Sequence, residues 1–161
     1  MSDKSTEVNF EFRQRLNKII GGNHHNFCYQ CGACVSLCPT AKYSTEFNPR
    51  TIMLMALLGL EDKLIAPDSI IWKCTNCYTC YERCPQDVRP VDVITALKNI
   101  CVAEDRAPDI ITRYSAGILD TGVSTPLSVA IAKRREKFGL PKFNITGYDE
   151  MKIILDREDS K

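Results

Sequence analysis

The sequence lacks a long apolar run and an excess of either charge. Its 21 lysines and arginines face 20 aspartates and glutamates, for a formal net charge of +1 over 161 residues. Such a balance leaves no broad electrostatic footprint for nucleic acid or an anionic bilayer, so nucleic-acid binding is set aside. No stretch approaches the roughly 20 consecutive apolar residues that a membrane-crossing helix needs. The opening MSDKSTEVNFEF also lacks the basic-then-apolar order of a secretory signal. These absences together predict a cytoplasmic chain with no membrane span.

Against them stands an abundance of cysteine, nine in all. In a reducing compartment such density signals metal or redox chemistry rather than a disulfide framework. Eight of the nine fall into one spelling written twice. Cys28, Cys31, Cys34 and Cys38 follow C-x2-C-x2-C-x3-C and run directly into Pro39. Cys74, Cys77, Cys80 and Cys84 repeat the spacing and run into Pro85.

Thiolate alone does not choose between iron and zinc, but the spacing does. Structural zinc sites bring two pairs of ligands from separated hairpins, whereas three cysteines at successive intervals of three wrap one loop around a single large object. An iron–sulfur cubane is such an object. Proline disfavours helical backbone in the residue before it, so Cys38 and Cys84 are turned away from their predecessors. Small Gly32 and Ala33 inside the first run become Tyr78 and Thr79 in the second, which predicts unlike surroundings and unlike potentials for two clusters. His24 and His25 precede Cys28, and with four cysteines already present they are expected as solvated loop residues.

Along the chain, residues 1–8 read as a loose terminus. Asn9 caps a helix to about Ile20, with Phe12, Leu16, Ile19 and Ile20 on one face, stopped by Gly21-Gly22. Asn48 and Pro49 open a helix from Arg50 to Leu58 that Gly59 closes. That helix is apolar nearly all round and reads as a core element, or in part as a partner-facing one. A short helical piece covers Glu61 to Ile65. Pro90 starts a helix to about Ala103, with Val93, Ile94, Leu97, Ile100 and Cys101 on its apolar stripe. Cys101 has no companion at ligand spacing and reads as a small buried residue.

Asp105 to Pro108 form a boundary. Beyond it, Thr125 and Pro126 predict a helix to Phe138, and Tyr148 to Arg157 predict a last one carrying Met151, Ile154 and Leu155. The cluster Lys133-Arg134-Arg135 suits a helix C-terminus, or an acidic partner. This tail is too sparse to build its own core. The division is therefore 1–25, an extension with a helix; 26–105, the two-cluster domain; and 106–161, a helical partner-docking extension.

The doubled spelling resembles that of bacterial two-cluster ferredoxins, in which the fourth cysteine serves the other cluster. Carried over, one [4Fe–4S] cluster takes Cys28, Cys31, Cys34 and Cys84, and the other takes Cys74, Cys77, Cys80 and Cys38. The long helix-rich spacer resembles the α-helical ferredoxin fold. More narrowly, Asn26 to Pro90, with NPR before the apolar helix and WKCTNCYTCYERCP in the second run, resembles the iron–sulfur C subunits of heterodisulfide reductase from methanogens. That resemblance implies a mainly α chain holding two [4Fe–4S] clusters. It also implies an electron relay from a flavin-containing subunit to the catalytic subunit that reduces the coenzyme M–coenzyme B heterodisulfide, in some assemblies with a hydrogenase or formate dehydrogenase. No catalytic residue is expected on the chain itself. The alternatives are a relay subunit of another anaerobic oxidoreductase, a free two-cluster ferredoxin, which the near-zero charge disfavours, and a zinc-stabilised interaction module without redox chemistry.

Overall fold

A computed structural model describes residues 7–125, 127–144 and 146–158, with side chains up to residue 154 in the last segment. Residues 1–6, Pro126 and the side chains of Leu155 and Arg157, on which some expectations fell, lie outside it. The chain is mainly α, with no strand among the described residues. It falls into two compact units that divide between Pro108 and Asp109.

In the first unit, α1 (Phe10–Lys18) begins where the Asn9 side chain accepts from the Phe12 N–H at 3.0 Å. Phe12 and Leu16 are buried one turn apart. The helix ends at Lys18, two residues early, so Ile20 escapes the apolar face and is 98% exposed. A 3-10 turn, Gly22–Phe27, then leads to the first cysteine run, which contains α2 (Ala33–Ser36) and ends in α3 (Pro39–Tyr43).

Helix α4 (Pro49–Leu58) is capped by Asn48, whose side chain accepts from the N–H groups of Arg50 and Thr51. Gly59 closes it at φ 68°. A Cβ at Gly59 would lie 2.4 Å from the Asn9 carbonyl oxygen, so both the backbone angle and the close approach require glycine. Helix α5 (Glu61–Leu64) and a 3-10 turn, Ile70–Lys73, lead to the second run with α6 (Thr79–Glu82).

The centre of the core is α7 (Pro90–Ala103), which buries Val91, Val93, Ile94, Ala96, Leu97, Ile100 and Cys101. Ile52, Met53 and Ala56 of α4, Phe12 and Leu16 of α1, and Leu64, Ile65 and Ile71 join the same apolar cluster. Each large side chain here contributes about 1.5–3 kcal/mol of transfer free energy. The polar rim is tied at Glu61, whose carboxylate accepts from Asn9 Nδ2 and Arg15 at 2.6 Å each. Arg15 also reaches Glu104 at 3.0 Å, which links the start of the chain to the end of α7.

The second unit holds α8 (Asp109–Thr121), α9 (Val129–Lys137) and α10 (Tyr148–Glu158). Helix α8 is an addition to the sequence-based reading. Helix α9 starts later than Thr125-Pro126 suggested, because the Ser128 hydroxyl accepts from the Ile131 N–H and serves as the cap. The Tyr148 hydroxyl reaches the carbonyls of Leu119 and Asp120.

Candidate iron–sulfur site

The two cysteine runs fold as copies of one local design. Each follows a 3-10 turn, Gly22–Phe27 or Ile70–Lys73, whose backbone ends in Cys28 or Cys74. The residue before the second cysteine is left-handed in both, Gln30 at φ 63° and Asn76 at φ 52°. The residue after it is left-handed again, Gly32 at φ 85° and Tyr78 at φ 62°. Each of those residues caps a single helical turn, α2 or α6, that carries the third cysteine as its second residue. Two reversals within a few residues make the backbone curl, so the first three thiols of a run line one hollow.

The fourth cysteine does not stay with its run. Cys38 is extended, at φ −71° and ψ 117°, ahead of Pro39, the first residue of α3. One cavity is lined by Cys28, Cys31, Cys34 and Cys84, together with Tyr29, Gln30, Arg50 and Met53. The other is lined by Cys74, Cys77, Cys80 and Cys38, together with Thr40, Phe47, Val91 and Ile94. Each has about 330 Å³ of empty space, including its open mouth. Helices α2 and α6 pack against each other, so the two hollows are neighbours.

The thiols differ in depth. Cys28, Cys38, Cys74 and Cys84 are half-buried and packed on the hydrophobic core. Cys31 and Cys77 are exposed at the two mouths. Burial pushes the Cys34 thiol up to about 12, helped next by the charges of Cys80 and Cys28. Burial likewise pushes Cys80 up to about 11. Cys77 is held below the ordinary thiol range by hydrogen bonds from Thr79. Crowded thiols so costly to ionise fit a metal-bearing group that takes up their negative charge. Among the described residues, no three His, Cys, Asp or Glu side chains converge closely enough for a single metal ion. Four thiols lining each hollow match the ligand set of a [4Fe–4S] cluster.

Cys101 belongs to neither hollow; it is fully buried in α7, and burial raises its pKa. The histidines correct the expectation of solvated loop residues. Both lie in the Gly22–Phe27 turn; His25 is fully buried, with its Nδ1 2.6 Å from the Gly22 carbonyl, and His24 is half-buried. The turn packs on α7, which no local signal in the sequence announces.

Comparison with known proteins agrees with this geometry. Residues 24–88 match the family model of the 4Fe-4S dicluster domain. The iron–sulfur C 2 subunit of CoB–CoM heterodisulfide reductase from Methanocaldococcus jannaschii is 40% identical over 71% of this chain and 60% of its own. The C2 subunit of the H2/formate:CoB-CoM heterodisulfide, ferredoxin reductase of Methanococcus maripaludis is 37% identical over 79% of this chain and 71% of its own. The chain belongs to the family of heterodisulfide reductase iron–sulfur C subunits. A further member, the C subunit of the ferredoxin:CoB-CoM heterodisulfide reductase of Methanosarcina mazei, is 34% identical over 80% of this chain and 81% of its own. The chain thus spans from about 60% to about 80% of the length of these relatives.

Several residues of the site were not singled out from the sequence. Gln30 donates from Nε2 to Cys28 Sγ at 3.2 Å. The Val88 N–H donates to Cys84 Sγ at 3.3 Å. Lys98 of α7 donates to the Cys74 carbonyl at 3.2 Å, with its ammonium 5.8 Å from the centre of the Trp72 ring. The only trace of the first in the sequence is that Gln30 and Asn76 share one place in the repeat.

Proposed function

We propose that this chain is the iron–sulfur electron-transfer subunit of a heterodisulfide reductase complex. One cluster is held by Cys28, Cys31, Cys34 and Cys84, and the other by Cys74, Cys77, Cys80 and Cys38. The observation that carries the reading is the pair of neighbouring hollows, each lined by three thiols of one run and one of the other. A bound [4Fe–4S] cluster supplies reversible one-electron transfer. All else is done by the chain's own residues.

The half-buried cysteines fix each cluster against the core, where Met53, Phe47, Val91 and Ile94 keep water from its inner side. The exposed Cys31 and Cys77 give each cluster an outward edge toward a redox partner. Four thiols per hollow complete the ligand set, so the chain offers no open coordination position to a substrate and relays without turning over. Its partners are the flavin-containing subunit, which delivers electrons, and the catalytic subunit, which reduces the coenzyme M–coenzyme B heterodisulfide in methanogenesis. A hydrogenase or formate dehydrogenase joins the same cytoplasmic assembly. The name of the M. maripaludis relative, which couples H2 or formate to the heterodisulfide, supports that last point. The unit from Asp109 onward is the docking extension, because none of its residues described here is buried.

Anaerobic purification tests the proposal. A brown protein with about eight iron atoms and as many acid-labile sulfides, bleached by dithionite with paramagnetic signals, is expected. It should co-purify with a flavoprotein and with the protein that cleaves the heterodisulfide. A colourless protein carrying zinc overturns the reading.

A further inference from the structure

Gln30 and Asn76 occupy the same place in the two cysteine runs, and the structure gives them different work. Both sit immediately before the second cysteine, in left-handed backbone. Asparagine tolerates that conformation because its short side chain bonds locally, whereas glutamine is not among the residues that favour it. A long amide is thus kept at a position where the short one fits more easily.

Its reach explains what the length achieves. The half-buried Gln30 lines the hollow of Cys28, Cys31, Cys34 and Cys84, and its Nε2 donates to Cys28 Sγ at 3.2 Å. Exposed Asn76 does not line the other hollow; its Oδ1 faces outward and accepts from Lys98 Nζ at 3.2 Å. In the first hollow the Val88 N–H supplies a second donor, to Cys84 Sγ. In the second hollow the backbone N–H groups of Asn76 and Val91 favour the thiolates of Cys74 and Cys80, and the Thr79 hydroxyl lies 3.5 Å from Cys77 Sγ, but no side-chain amide lines it.

We propose that Gln30 raises the reduction potential of the cluster on Cys28, Cys31, Cys34 and Cys84 by donating its side-chain N–H to the Cys28 sulfur. An added electron places more negative charge on the thiolate sulfurs, and a positioned N–H dipole stabilises the more negative state. Partial burial strengthens the effect by limiting competition from water. At the matching position on the other run the Asn76 side chain makes no such bond, its Oδ1 accepting from Lys98 instead, and the contact to Cys74 comes from the Asn76 backbone N–H. This inference rests on the reading that the two hollows hold clusters.

The experiment is a potentiometric titration of the anaerobically purified holoprotein, followed by paramagnetic resonance. Gln30→Leu removes the donor, and Gln30→Asn restores a residue suited to the backbone while withdrawing the amide from the sulfur. In both, one of the two midpoints is expected to fall, making the reduced-to-oxidised ratio about tenfold lower at the wild-type midpoint, or ~59 mV for one electron. The other midpoint stays in place. Gln30→Glu lowers the same midpoint further, because a carboxylate opposes added charge. Asn76→Leu leaves both midpoints near wild type.

Iron content equal to wild type shows that the cages are intact, and where Gln30→Leu loads poorly, Gln30→Asn carries the test. Unmoved midpoints in fully loaded Gln30→Asn overturn the proposal, as does an equal shift in Asn76→Leu. Wild-type protein without clusters overturns the relay reading and the role of Gln30 with it.

Discussion

The two units of this chain use apolar residues in opposite ways. Up to Pro108, α1, α4 and α7 converge on one sealed core, and four of the eight cysteines of the two runs are packed against it. From Asp109 on, α8, α9 and their connections leave Ile110, Tyr114, Leu119, Ile131, Leu140 and Phe143 exposed. The basic Lys133, Arg134 and Lys137 of α9 are equally open to solvent. A fixed core holds cofactor ligands to tolerances that one-electron chemistry needs. A surface of exposed apolar and basic side chains gains its stability only when something covers it. On the proposed function, the first unit carries the redox chemistry and the second the assembly.

The sharpest way to break this comparison is to cut the chain after Pro108. The remaining unit is expected to keep its clusters, read as unchanged iron and sulfide content, while co-purification with its partners falls to background. Loss of the clusters on truncation would merge the two roles.

Core substitutions come next. Leu97→Ala opens a cavity at a fully buried position and is expected to cost ~2–5 kcal/mol in denaturant unfolding. Gly59→Ala forces a side chain into left-handed backbone and against the Asn9 carbonyl, for an expected ~2–3 kcal/mol. The smallest effect in the first unit belongs to its rim. Arg15→Leu removes the bonds to Glu61 and Glu104, and because Arg15 is nearly half exposed the expected loss is only about 1 kcal/mol. Leu140→Ala, at a half-exposed position of the second unit, is expected to cost less than about 0.5 kcal/mol in the isolated chain.

What could be read from the sequence follows the same line. Helix boundaries written in local chemistry were legible: Asn9, Asn48-Pro49, Gly59 and Pro90 each cap, start or stop a helix through atoms within a few residues. The doubled cysteine spelling was legible for the same reason. Helix α8 escapes such a reading although Ile110, Tyr114 and Ile118 recur at helical spacing, because the boundary signals at Asp105 to Pro108 mask the stripe behind them. The start of α9 is ambiguous because Thr125-Pro126 and Ser128 are competing caps, and only the hydrogen bond from Ile131 decides between them. The burial of His25 comes from the packing of its turn on α7, a contact between residues far apart in the chain, and so contradicts its loop-like neighbourhood. Gln30 and Asn76 show the limit most clearly. Their equivalence is visible in the spelling, but the direction of their amides is not.

The crossing of the fourth cysteine is the claim on which the relay stands, and serine substitutions read by paramagnetic resonance on the reduced holoprotein test it most directly. Cys84→Ser is expected to alter the same one of the two cluster signals that Cys28→Ser alters, and Cys38→Ser the same one that Cys74→Ser alters. If Cys84→Ser instead matches Cys74→Ser, each run holds its own cluster and the account is contradicted.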